Sequence, residues 1–112
     1  MNTEISYSIS EYDGVKIVKF SGNISNSSKI EFESVVNSLS QKNNVILDMR
    51  EVSVITSGGL SSLINVSNSA RKRKKRVMIM GLRDGLIKML EVMDVLPHIT
   101  FIDNIEEGVA KA

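Results

Sequence analysis

The chain has 112 residues, no cysteine and one histidine. That length holds a single small domain with one layered core. The missing cysteines exclude disulfides, thiolate metal sites and cysteine nucleophiles, and one histidine cannot build a multi-histidine metal centre. Aromatic residues are only 4% of a chain that is 42% hydrophobic, so Val, Ile, Leu and Met must form the core, and disorder is disfavoured at that apolar content. Net charge is +1 but unevenly placed: Arg71 to Arg76 are six consecutive bases, and setting them aside leaves eight bases against 13 acids. The body is therefore acidic with one basic patch. No apolar run reaches membrane-spanning length, and no basic segment followed by an apolar one opens the chain. A soluble cytoplasmic protein without membrane insertion is expected.

Ile5, Tyr7 and Ile9 alternate with Ser6, Ser8 and Ser10, the period of a half-exposed strand. Asp13-Gly14 is a hairpin-type turn, and Val15, Ile17 and Phe20 continue as a second strand. Gly22 to Ser28 reads as a polar loop, from which Asn26, Ser27 or Ser28 can cap a helix. Glu31 and Glu33 suit the first turn of that helix, and Phe32, Val35, Val36 and Leu39 give it an apolar face. Gln41 to Asn44 end it. Val45-Ile46-Leu47 is a continuous apolar run, as expected for a central strand buried on both faces.

A loop around Thr56-Ser57 precedes a second helix, whose inward face carries Leu60, Leu63, Ile64, Ser67 and Ala70. Val77 to Met80 reads as another buried strand, broken at Gly81. Leu82 to Met93 reads as a third helix, with Leu86, Ile87, Leu90 and Met93 inward and Pro97 blocking its continuation. Thr100-Phe101-Ile102 is a short strand, and Ile105 to Ala110 a short terminal helix. The order β-β-α-β-α-β-α-β-α predicts a single α/β domain, a mostly parallel mixed sheet that opens on an antiparallel hairpin.

The segment Val54-Ile55-Thr56-Ser57-Gly58-Gly59-Leu60 is the most informative. It places two hydroxyls and two glycines at a strand-to-helix junction, where backbone N–H groups lack helical partners and favour negative charge. It holds no acid–base pair and no Gly-x-x-x-x-Gly-Lys-Ser/Thr pattern, so neither an enzyme nor a nucleotide loop is indicated, and no cofactor is expected. On residue chemistry alone, Ser57 reads either as a helix cap or as an acceptor for a modifying group. Gly58 and Gly59 read as sites of close backbone approach rather than a phosphate cradle.

The element order, together with Ile55-Thr56-Ser57-Gly58-Gly59-Leu60, resembles the STAS family in its anti-sigma factor antagonist branch. Val15 to Ile24 looks like the family's second strand leading into its Gly-x-Leu/Ile-Asp turn. Val45 to Met49 looks like the strand before the Asp-Ser-Ser/Ala-Gly-Leu motif. Leu96 to Ile102 and Ile105 to Gly108 look like its closing strand and terminal helix.

The resemblance implies a phosphorylation-switched interaction domain. Unphosphorylated, it would bind a serine kinase that doubles as an anti-sigma factor, and a metal-dependent serine phosphatase would reset it. By position the phosphoacceptor is Ser57. Thr56, Gly58, Gly59, Leu60 and Ser61 would contact the partner, and Asn23 and Ser25 would line the neighbouring turn. Thr56 stands where the motif has aspartate, Ser25 where the turn ends in aspartate, and Gly58 where Ser or Ala is common. The loss of both acids implies less repulsion against a phosphate at Ser57. The alternative is a constitutive STAS scaffold in a signalling or membrane transport complex.

The basic run reads as a solvated helix end that complements the dipole, or as a contact for an acidic partner or membrane surface. Direct nucleic acid binding is not expected, because no aromatic residues interleave the bases. His98 reads as a surface residue, Met78, Met80, Met89 and Met93 as adaptable core, and Asp84 and Asp94 as solvated or capping.

Overall fold

A computed structural model describes residues 4–92 and 99–112. The expectations for Met93, Asp94, Pro97 and His98, and for residues 1–3, lie outside the described residues. The order is β1 Ile5–Tyr12, β2 Val15–Ile24, α1 Lys29–Ser40, β3 Val45–Ile55, α2 Ser57–Lys72, β4 Val77–Met80, α3 Asp84–Val92, β5 Thr100–Phe101 and α4 Ile105–Lys111. The strands lie in the sheet in chain order. β1 pairs antiparallel with β2, and every later pair is parallel.

The hairpin turns at Asp13 and Gly14, both with positive φ, +50° and +80°. Two positive φ values in a two-residue loop match the twist of the flanking strands. That turn pairs Tyr12 with Val15 and, further along, Ile5 with Gly22.

β3 is central and covered on both faces. Val45, Leu47 and Met49 join the larger core, which also holds Phe20, Phe32, Val36, Leu63 and Leu90 from β2, α1, α2 and α3. Ile46 faces the other way, into a smaller core with Val15, Ile17, Met78 and Ile102, closed by Ile105 and Val109 of α4. Burial on both faces accounts for the unbroken apolar run.

β3 and β2 are both longer than periodicity predicts. Between Lys19–Asp48 and Ser21–Glu51, and again between Gly22–Val52 and Asn23–Val54, β3 gains one residue on β2. These irregularities have the two-against-one pairing of a β-bulge. Inward positions in this half are therefore Met49, Val52 and Ile55, three apart rather than two. Gly22 and Asn23, expected in a loop, belong to β2. α3 starts at Asp84, two residues later than expected; Leu82 is buried ahead of it.

Candidate functional site

The C-terminal edge of the sheet brings together the turn after β2 and the loop after β3. Ile24 pairs with Ile55, and the Thr56 N–H donates to the Ile24 carbonyl at 3.0 Å. Thr56 is extended and its side-chain oxygen accepts from the Gly59 N–H at 3.2 Å. Thr56, not Ser57, is therefore the cap of α2, which removes the cap reading of Ser57.

Ser57 occupies the first helical position and is exposed. Its carbonyl accepts from the Ser61 hydroxyl at 3.2 Å, while its own hydroxyl has no hydrogen-bond partner among the described residues. The first-turn N–H groups and the helix dipole favour negative charge at this position.

The glycines serve close approach. A Cβ at Gly59 would lie 2.2 Å from the Ile24 carbonyl oxygen, and one at Gly58 would lie 1.7 Å from Asn26 Oδ1. The first obstacle is backbone, the second the tip of a side chain. Leu60, expected to touch a partner, is instead fully buried in the larger core. A side chain with no accessible surface cannot contact a partner, and burying a leucine stabilises by about 1.5–3 kcal/mol. Gly59 is likewise buried; Gly58 is half-buried, and Ser61 is exposed.

The turn after β2 is a hydroxyl network. The Ser28 hydroxyl donates to the Asn23 carbonyl at 2.8 Å and accepts from the Ser25 N–H at 2.9 Å. Ser28 sits at the cap position of α1 without capping it. Ser25 is buried, and its hydroxyl donates to Glu4 Oε1 at 2.7 Å. The Ser27 hydroxyl donates to Glu4 Oε2. These bonds, from Ser27 first and then Ser25, hold the Glu4 carboxyl below its ordinary pKa, against a smaller opposing effect of burial. The turn is thus not free of acid, as positions 25 and 56 alone implied: Glu4 supplies one from the start of β1. The signal for it is in the hairpin register. The Asp13-Gly14 turn puts Glu4 opposite Asn23, whose N–H donates to the Glu4 carbonyl at 2.9 Å.

Two exposed apolar residues lie at the same edge: Val54, paired with Asn23, and Ile30 in the first turn of α1, 78% exposed. Ile30 does not stand out in sequence, because it occurs within a regular helix. Behind the edge, Arg50 grips Asp48 with Nε to Oδ1 at 3.0 Å and Nη2 to Oδ2 at 2.7 Å. Burial works to raise the Asp48 pKa. The hydrogen bonds and charge of Arg50, with help from Lys19, outweigh it and leave the carboxyl below its ordinary value. No group of three or more metal-ligating side chains occurs among the described residues, and no helix there is long and apolar enough to cross a membrane.

The STAS domain model matches residues 6–110, and the chain belongs to the STAS family. Solved structures share the fold. An anti-sigma factor antagonist from Mycobacterium paratuberculosis aligns with a TM-score of 0.80 at 15% identity, covering 96% of this chain and 92% of that one. The anti-sigma factor antagonist SpoIIAA in its unphosphorylated form aligns with a TM-score of 0.69 at 10% identity, covering 95% and 96%. A murine anion transporter, Slc26a9, aligns with a TM-score of 0.76 at 19% identity, covering 91% of this chain and 18% of the transporter. No curated protein sequence matches the chain.

Proposed function

We propose that this STAS domain is an anti-sigma factor antagonist, a non-catalytic interaction module switched by phosphorylation of Ser57. In the unphosphorylated form it binds a serine kinase that doubles as an anti-sigma factor, and a metal-dependent serine phosphatase restores that form. The observation that carries this reading is the division of labour in the loop. Thr56 caps α2, so the exposed Ser57 hydroxyl is not spent on holding the helix and can be modified without loss of the cap.

A phosphate on Ser57 adds roughly −1.5 to −2 charge at neutral pH. Inside the domain it meets the positive end of α2, worth about 0.3–1 kcal/mol, and the fold need not rearrange. A partner seated over Ser57, Ser61, Ile30 and Val54 instead meets a desolvated dianion beside apolar surface. Repulsion and desolvation then oppose docking, and a penalty of about 4 kcal/mol is a thousandfold in affinity.

The test is mass spectrometry after incubation with the cognate serine kinase and ATP. Wild type gains one phosphate that maps to Ser57, and Ser57→Ala stays unmodified. Unmodified wild type, or phosphate mapped to Thr56 or Ser61, overturns the assignment. A constitutive scaffold is the second reading, supported by the presence of the same fold as a fraction of the transporter chain. It predicts equal partner binding by Ser57→Ala and Ser57→Asp.

A further inference from the structure

The other end of α2 carries a recess that the proposed switch does not use. It has a volume of about 570 Å³ and lies where β3, β4 and β5 begin, between the α2–β4 connection and the end of α4. Arg71, Lys74, Lys75 and Arg76 line it from one side, Lys111 of α4 from another, with Asn44 between. No Asp or Glu side chain lines it. Lys111 pairs with Glu107 at 3.0 Å, whereas the other four cations have no ion pair among the described residues. α2 is 16 residues long, so this recess is about 24 Å from Ser57 at 1.5 Å per residue.

The basic run is not a uniform solvated helix end, because its members divide. Arg73 turns away and donates from Nη1 to the Ser40 hydroxyl of α1 at 2.9 Å. Arg71, Lys74, Lys75 and Arg76 converge on one cavity. Lys74 does so at a conformational cost. The Lys75 N–H donates to the Ala70 carbonyl at 2.9 Å, and the Lys74 N–H to the Arg71 carbonyl at 3.0 Å. That is the helix-ending pattern in which the left-handed residue is most often glycine. Here Lys74 has φ +63°. A lysine in that conformation gives up stability and keeps a cation at the rim of the recess.

From this geometry we infer that the recess is a binding site for a small, soluble polyphosphate anion, such as the phosphate chain of a nucleoside triphosphate or inorganic tripolyphosphate. The volume falls within the range of small-molecule pockets. Clustered Lys and Arg supply the donors that phosphate oxygens need. No aromatic side chain lines the walls, so the site offers no stacking platform for bases and reads phosphate rather than nucleobase. A concave site also suits a compact anion better than a duplex, whose grooves take a protruding element, or a flat bilayer. The inference stands whether or not Ser57 is the phosphoacceptor.

The test is calorimetric titration of the full chain with inorganic tripolyphosphate at physiological ionic strength. Wild type binds saturably at one site, more tightly than it binds orthophosphate. The double variant Arg71→Gln/Lys75→Gln binds at least tenfold more weakly, with an unchanged thermal midpoint. Lys74→Gly binds several-fold more weakly, yet its midpoint rises by a few degrees because the left-handed strain is relieved. Affinity unchanged in both variants overturns the site. Tighter binding to duplex DNA or to anionic phospholipid vesicles than to tripolyphosphate, under the same conditions, overturns the ligand class.

Discussion

The two ends of α2 are built on opposite principles. At its N-terminus the Thr56 N–H ties the loop after β3 to the turn after β2, Ser25, Ser27 and Ser28 brace that turn internally and against Glu4, and further back in β3 the cation Arg50 is paired with buried Asp48. At its C-terminus Arg71, Lys74, Lys75 and Arg76 gather in a recess that no Asp or Glu side chain lines. At the hydroxyl end the Glu4 carboxylate is already held by Ser25 and Ser27, and a phosphate on the exposed Ser57 would add new charge to a surface made mostly of hydroxyls, so that end suits a switch. Standing charge attracts a counter-charge, so the basic end suits an anion. Geometry follows the same division: Gly59 at the hydroxyl end is required by close backbone, whereas the basic end has lysine where glycine would be more relaxed.

Substitutions at the hydroxyl end break or sharpen that contrast. Gly59→Ala has the largest expected effect on stability, because its Cβ meets the Ile24 carbonyl oxygen at 2.2 Å. Overpacking against backbone costs about 1–3 kcal/mol, more than the gain in helix propensity returns, and urea denaturation should show a lower midpoint. Gly58→Ala is the control. Its obstacle is the movable Asn26 side chain, so the loss should be under about 1 kcal/mol. Equal losses at 58 and 59 would show that the loop, not the Ile24 carbonyl, sets the constraint.

Thr56→Ala comes next. It removes the acceptor for the Gly59 N–H and should cost about 1 kcal/mol. Thr56→Asp restores both a cap and the family's acid, and should be at least as stable as wild type in the same denaturation series.

The smallest effect is on pH dependence. The Asp48 carboxyl lies below its ordinary pKa in the folded state. Its contribution to stability is therefore complete above the unfolded value, about 3.9, and is lost as pH falls through the lower folded value. Glu107 behaves in the same direction through the Asp103 N–H and Lys111. Thermal midpoints of Asp48→Asn should decline less steeply than wild type below about pH 4. Parallel acid limbs would mean that the Arg50 pair adds nothing.

Much of this was legible in sequence, and the gaps have physical causes. The sheet order and helix faces follow from apolar spacing, with Phe32, Val36, Leu63 and Leu90 inward as expected. Periodicity ends β3 at Met49, because bulges change its inward spacing from two to three and the pattern ceases to look like a strand. Leu60 is inward as its helical spacing predicts, and only the partner contact implied by the resemblance fails, because a motif names residues without their burial. Glu4 carries no local signal: the hairpin register places it opposite Asn23, and its role depends on that pairing across the turn rather than on neighbours in the chain. The convergence of Lys111 with the basic run is visible only in the fold, because α2 and α4 are far apart in the chain yet line the same recess.

The most direct measurement is retention of the serine kinase from native cell extract by wild type, Ser57→Ala and Ser57→Asp, followed by titration with the purified kinase. The account predicts strong binding by wild type and Ser57→Ala, and an affinity lower by up to a thousandfold, about 4 kcal/mol, for Ser57→Asp. Equal affinity for all three proteins would contradict it and leave Ser57 as an ordinary first-turn residue of α2.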